Sequence, residues 1–321
     1  IELLDYEKQL YAVANPRAGV IARARLKDGR LMYKERVAVA APTKIVVYVN
    51  PIGGMTKYEV QFEGKTLRRP LVIGPTAAEE IADRLRAEGL VYHSKLIDDV
   101  LNAIIQGAVK RGKAEVREEI EAPGFYLVGG KLRPVKVELK AVTRDELKDA
   151  LLLLNELAEW YKHAIDRFST IVKWDLIAPF SYALKQKGKW IQWIYIYGAS
   201  YTGKTTLGEM VLSIWGLGSS HVKGGANVDT VARLGHVLSQ STFPVLVNEP
   251  GNALMREEIV EVLKSAIENQ VVRGKYIRGA YTEIPSLAPM IFTSNRVLPR
   301  DDALLRRLIV LTFTIGERIA G

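Results

Sequence analysis

The segment Gly198-Ala-Ser-Tyr-Thr-Gly203-Lys204-Thr205 has the spacing G-x-x-x-x-G-K-[ST], and each fixed position suits a chain of phosphates. Gly198 and Gly203 let the backbone wrap with its N–H groups pointing inward at a β-phosphate, and the helix expected next adds its positive end. The phosphate lining is thus expected to run from Gly198 through Ala199, Ser200, Tyr201, Thr202 and Gly203 to Thr206. Lys204 would bridge the β- and γ-phosphates, and the Thr205 hydroxyl would bind Mg²⁺. The bland alternative is a glycine-rich β-to-α turn matching by chance, which requires four fixed positions and both flanking elements to agree by accident.

Two more apolar runs end in polar side chains. Phe243-Pro-Val-Leu-Val-Asn248-Glu249 suits a strand beside the one that feeds the phosphate loop. Glu249 would polarise a water attacking the γ-phosphate, and Asn248 stands where an Asp usually supports Mg²⁺ through water, as a weaker, neutral substitute. The competing reading is a core strand ending at the turn Glu249-Pro250-Gly251. Ala288-Pro-Met-Ile-Phe-Thr-Ser-Asn295 follows the same pattern; Asn295 would sense the γ-phosphate or orient the water, or else simply make a turn with Ser294. In Asp301-Asp302-Ala-Leu-Leu-Arg306-Arg307 the paired arginines would reach the nucleotide of a neighbouring subunit, or pair with Asp301 and Asp302 on the surface.

These residues need strands to aim them and helices to bury the strands. Trp190-Ile-Gln-Trp-Ile-Tyr-Ile-Tyr197 is strongly β-prone, and Thr205 to Trp215 has helical periodicity. A further helix is expected near Asp229 to Ser239. Upstream, Thr143-Arg-Asp-Glu146 is a capping box before the apolar face Leu147, Ala150, Leu151, Leu154, Leu157, Ala158 and Tyr161. A short helix over Ala178 to Lys185, with Pro179 in its first turn, would connect it to a solvated basic boundary, Lys185-Gln-Lys-Gly-Lys189. Residues 1 to about 140 read as an α+β module. Its expected strands are Lys44–Asn50, Tyr58–Phe62, Tyr126–Val128 and Val135–Leu139, with one helix capped by Thr76 and another running from Ser94 to about Ala108. The expected domains are therefore 1–142, α+β; 143–187, a helical connector; and 188–321, an α/β core with a parallel sheet. There is no internal repeat or low-complexity segment.

With 321 residues, 48% apolar and 25% charged, the chain is a folded globular protein rather than a disordered or collagen-like one. Zero cysteines exclude disulfides, thiolate zinc sites and cysteine nucleophiles. His93, His163, His221 and His236 never fall at the i, i+4 spacing of a helical metal pair. No apolar run approaches the ~18 residues of a membrane span, so a soluble, cytoplasmic protein is expected. The chain opens at Ile1 without a leader, so it is expected to be a fragment or processed product. The net charge of +9 suits a polyanionic partner such as nucleic acid, or simply aids solubility. Residues 1–150 carry 26 basic and 21 acidic side chains and residues 151–321 carry 19 and 15, so folding must assemble any basic patch.

A phosphate loop, an acidic second strand, an Asn-terminated strand and a following Arg pair, in this order within about 110 residues, resemble the ATPase core of AAA+ proteins. The likeness is to superfamily three helicases and related plasmid, phage and archaeal replication ATPases, and covers about residues 190 to 315. Segment 143–187 is similar to the collar before such cores, and Glu121-Ala-Pro-Gly-Phe-Tyr-Leu-Val-Gly-Gly-Lys-Leu132 to a stretch upstream of the ATPase in helicase-like phage and archaeal proteins. The resemblance implies ATP and Mg²⁺ as ligands. It makes Lys204 and Thr205 the Walker A residues, Glu249 the Walker B acid, Asn295 the sensor, and Arg306 or Arg307 the arginine acting in trans. It also implies a hairpin before the sensor strand that grips single-stranded DNA. Here that interval is Val271 to Ile284, in which Arg273, Lys275, Tyr276 and Arg278 would meet phosphates and bases unless they are merely solvated. The implied protein is a hexameric DNA helicase or translocase of prokaryotic, plasmid or viral origin. An AAA+ ATPase that loads, remodels or packages DNA, and an ATP-gated DNA-binding initiator with little hydrolysis, remain as alternatives.

Overall fold

The computed structural model describes residues 2–5, 10–53, 56–138, 140–277, 280–298 and 301–317. The chain divides into two compact units, Ile1–Glu119 and Ile120–Gly321.

Among its described residues the first unit holds two four-stranded sheets and two helices. Strands β1 (Glu2–Asp5), β2 (Leu10–Asn15), β3 (Val20–Lys27) and β4 (Arg30–Ala38) form an antiparallel meander that the apolar pattern did not announce. In the other sheet, β5 (Ala41–Val49), β6 (Lys57–Glu63), β7 (Leu71–Thr76) and β8 (Glu115–Glu118) lie in the order β7-β6-β5-β8, with β5 and β8 parallel. Helices α1 (Ala78–Ala87) and α2 (Ile97–Lys110) bury Ile81, Leu85, Ile97, Leu101 and Ile105 among Ile21, Val60 and Phe62. Two expected helix starts move. Thr76 is drawn into the β7 ladder opposite Tyr58, so Ala77 takes the N-cap position, while the Thr76 hydroxyl bonds Glu80. Ser94 is held by Arg86, through Nε to Oγ at 3.0 Å and Nη2 to its carbonyl at 2.8 Å, and α2 begins three residues later.

Residues 120–142, grouped by sequence with the first module, belong to the second unit. Strand β9 (Gly124–Val128) pairs with β10 (Lys131–Val135), and Phe125 N donates to Thr242 Oγ1 at 3.0 Å. The strand expected over Val135–Leu139 ends at Val135, because Lys136 turns to φ +50; Leu139 lies outside the described residues. Helix α3 (Arg144–Trp160) starts with the expected capping box of Thr143 and Glu146. Of its expected apolar face, Leu154, Leu157 and Ala158 pack on the core and Tyr161 is buried. Leu147 and Leu151, nearer the helix start, stay exposed. Helix α4 (Ile165–Ile177), a 3₁₀ turn at Ala178–Phe180 and α5 (Ser181–Lys185) follow. The solvated boundary needs correction at its first residue: Lys185 is buried, because carbonyl and hydroxyl oxygens surround its ammonium group.

The sheet that carries the candidate site is wholly parallel. Its strands are β11 (Trp193–Gly198), β12 (Val222–Gly224), β13 (Val245–Asn248), β16 (Met290–Ser294) and β17 (Leu308–Phe313), in the order β12-β13-β16-β11-β17. Helices α6 (Lys204–Ile214), α7 (Val231–Leu238), α8 (Glu257–Glu268) and α9 (Asp302–Leu305) interrupt these strands in sequence. Strands covered on both faces are apolar along most of their length; β16 is buried at every position and turns polar only at Thr293 and Ser294. The antiparallel hairpin of β14 (Val271–Ile277) and β15 (Ala280–Pro285) rises between α8 and β16. Among the described residues no helix is long and apolar enough to cross a membrane.

Candidate nucleotide site

The loop between β11 and α6 closes on its own glycines. A Cβ on Gly198 would sit 2.2 Å from the carbonyl oxygen of Phe313 on the neighbouring strand, so no side chain fits there. Gly203 adopts φ +80 at the N-cap of α6, a conformation glycine enters freely. Its carbonyl accepts the Tyr161 hydroxyl at 3.2 Å, a brace from the end of α3 that the sequence pattern did not single out. Tyr201, at the crest of the loop, also has a left-handed backbone (φ +65) and is 92% exposed.

Strand order brings the other candidates to this loop. β16 is the direct neighbour of β11 and β13 lies one strand further, so Asn295, Asn248 and Glu249 emerge at the same sheet edge as the loop. The ends of parallel strands around a change of direction are where α/β sheets bind ligands. A cavity of about 320 Å³ is lined there by Ser200, Lys204, Thr205, Asn248, Glu249 and Asn295, and by Tyr201, Thr202, Gly203 and Thr206 of the loop. That is the lower end of the ~300–1,000 Å³ typical of ligand pockets.

Within the cavity Lys204 Nζ donates to Ala199 O at 2.6 Å, Asn295 Oδ1 at 2.9 Å and Thr202 Oγ1 at 3.2 Å. Burial pulls its ammonium group below the usual lysine range, partly opposed by the Glu249 charge. The Glu249 carboxylate accepts the Asn295 backbone N–H at 3.1 Å and the Ser294 hydroxyl at 3.4 Å. Its own backbone sits at φ +47, a strained region for a non-glycine residue, held by its N–H bonding Thr293 O at 2.8 Å. Asn295 therefore touches both the lysine, by its side chain, and the glutamate, by its backbone.

Asn248 Oδ1 accepts the Thr205 hydroxyl at 3.0 Å and the Thr293 hydroxyl at 2.8 Å. Since Thr205 donates its proton to Asn248, its oxygen lone pairs are left for a cation. No group of three or more His, Asp or Glu residues suited to caging a metal occurs among the described residues. Mg²⁺ binds through one or two protein groups, waters and substrate phosphates rather than a full protein cage, so Thr205, Asn248 and Glu249 fit it.

The two arginines diverge. Arg307 Nε lies 2.9 Å from Glu268 Oε1 and its Nη1 donates to Ala303 O at 2.6 Å, so it is tied within its own chain. Arg306 is exposed. The surface alternative, pairing of the arginines with Asp301 and Asp302, does not form among the described residues. Asp301 caps α9 through Leu304 N at 2.7 Å and pairs with Lys264 at 3.4 Å. The hairpin carries Arg273, Lys275 and Tyr276 on β14, whose backbone register pairs position 275 with Thr282 and position 276 with Tyr281; Arg278 lies outside the described residues.

No protein-family model matches the chain, and no curated protein matches it. Similar solved structures include the SCCmec type IV Cch active helicase, with TM-score 0.46 and 14% identity over 94% of this chain and 58% of that one. Hsp104 bound to ATPγS and FITC casein in its closed state gives 0.33 and 12%, over 74% of this chain and 47% of that one. NtrX from Brucella abortus with ADP gives 0.30 and 14%, over 65% of this chain and 46% of that one. This chain thus spans less than two thirds of the length of each.

Proposed function

We propose that this chain is an oligomeric, ATP-driven DNA helicase or translocase of the AAA+ kind, with Lys204, Thr205, Glu249 and Asn295 as its hydrolytic machinery. The observation that carries the reading is the convergence of these side chains on one cavity: Lys204 meets Asn295 at 2.9 Å and Thr205 meets Asn248 at 3.0 Å. The loop amides and the N-terminus of α6 receive the phosphates, and Lys204 exchanges protein oxygens for β- and γ-phosphate oxygens. Thr205, with Asn248 and Glu249 beside it, would hold Mg²⁺, whose charge would offset that on the phosphate oxygens. Glu249 then takes a proton from the attacking water, with Asn295 orienting that water or the γ-phosphate. The exposed Arg306 reaches the nucleotide of the adjacent subunit in a hexameric ring, a role for which Arg307, paired with Glu268, is less available. Arg273, Lys275, Tyr276 and Arg278 of the hairpin grip single-stranded DNA, which turnover moves.

The neutral Asn248 favours a second reading, an ATP-gated DNA-binding initiator with little hydrolysis. Steady-state ATP turnover with and without single-stranded DNA separates the two. Lys204→Ala is expected to abolish hydrolysis and weaken ATP binding, and Glu249→Gln to keep ATP bound while turnover falls about 10²-fold or more. Wild-type turnover in Lys204→Ala removes the loop from the reading. Equal loss of binding and turnover in Glu249→Gln makes that residue structural.

A further inference from the structure

Lys185 closes α5 and is 3% exposed. Its Nζ lies 2.5 Å from Ala266 O, 2.9 Å from Ser286 O and 3.0 Å from Ser286 Oγ, three oxygens for the three hydrogens of an ammonium group. Ala266 belongs to the last turn of α8, where unpaired carbonyls carry the negative end of the helix dipole. Ser286 directly follows β15. The Lys185 carbonyl accepts Gln270 Nε2 at 3.4 Å, and Gln270 directly precedes β14. Ser286 N in turn donates to Gln270 O at 2.8 Å. Both feet of the hairpin are thus joined to each other, and Lys185 holds each: Gln270 through its backbone carbonyl, Ser286 through its ammonium group.

Burying that cation is costly, and burial pulls Lys185 down to about 7. A methionine would fill similar space without desolvating a charge, so packing alone does not account for the lysine. The neighbouring Gln186 anchors the same helix end by exchanging two hydrogen bonds with the Leu127 backbone, at 2.8 and 3.2 Å. Beyond Ser286 the chain enters β16, which ends at Ser294 beside Asn295.

We propose that Lys185 is a positioning residue that clamps both feet of the 271–285 hairpin to α5, so that DNA held by the hairpin changes turnover at the phosphate loop through β16. This rests on the function proposed above. The test compares wild type, Lys185→Met and Ser286→Ala for basal ATP turnover and for stimulation by a single-stranded oligo-dT. Basal kcat and KM for ATP should stay within about twofold in Lys185→Met, while stimulation falls by about tenfold, within the range of site-to-site coupling. Ser286→Ala removes one acceptor, should shift stimulation the same way by less, and decides the matter if Lys185→Met does not fold. Wild-type stimulation in a folded Lys185→Met, or in Ser286→Ala when that variant must decide, overturns the clamp, as does an equal fall in basal and stimulated turnover. A wild type whose turnover ignores oligo-dT overturns the functional reading and the clamp with it; a responsive wild type isolates the clamp.

Discussion

Asp175 on α4 is fully buried, and neither carboxylate oxygen has a hydrogen-bond partner among the described residues, while its backbone carbonyl accepts Trp215 Nε1 at 2.9 Å. Burial raises its pKa from 3.8 to about 8. Below 3.8 the folded and unfolded chains both hold the proton. Between 3.8 and about 8 the unfolded chain releases it while the folded chain keeps it, so stability falls as pH rises. The slope is at most about 1.4 kcal/mol per pH unit. From pH 4.5 to 8 that sets a ceiling of roughly 5 kcal/mol, and about 2–4 kcal/mol is expected once relaxation and water entry return part of the ion's solvation. Asp175→Asn removes this titration and nothing else that changes over the interval. Urea unfolding of both proteins at pH 4.5, 6.5 and 8, with constant m, isolates it: the stability of the variant relative to wild type should climb by that amount. A difference that stays flat with pH, or one that favours wild type increasingly at pH 8, would refute the argument that the carboxyl is buried without a partner.

At the acid end, Arg167 holds Glu317 down at about 2, through ion-pair contacts of 2.5 and 3.1 Å. That contribution is present above pH 4.5 and is lost as pH falls toward 2, so Glu317→Gln should cost about 1–2 kcal/mol at pH 7 and little at pH 2, measured by urea unfolding. Tyr201 holds a left-handed backbone with its ring in solvent, so Tyr201→Asn should raise stability by about 0.5–1 kcal/mol, read as an increase in Tm; a loss would mean that the ring packs in solution. Lys275→Ala should weaken oligo-dT binding and lower its salt slope by roughly 0.7 for each phosphate that the side chain no longer neutralises, with basal ATP turnover unchanged. An unchanged slope would take Lys275 out of the DNA grip.

The loop between β11 and α6 was legible in the sequence because its signals are local. Two glycines, a lysine and a threonine within eight residues, between an apolar run and a periodic helix, determine loop, strand and helix together. Glu249 and Asn295 were legible as polar ends of apolar runs, since strands buried on both faces carry polar side chains at their exits. The capping box at Thr143 was legible for the same local reason. Other features depend on neighbours far along the chain. Strand order decides that Asn295 touches both Lys204 and Glu249, and only packing against Glu268 distinguishes Arg307 from Arg306. Lys185 reads as a surface charge in a basic stretch and becomes a buried one because Ala266 and Ser286, 81 and 101 residues away, supply its oxygens. The β1–β4 meander stayed hidden because its strands hold alanines and arginines in place of β-branched runs, and its register comes from cross-strand pairing. Sequence alone determined the glycine-rich loop with its lysine and threonine between strand and helix; tertiary structure decided which distant groups meet it, because hydrogen bonds across strands depend on separation in space and not along the chain.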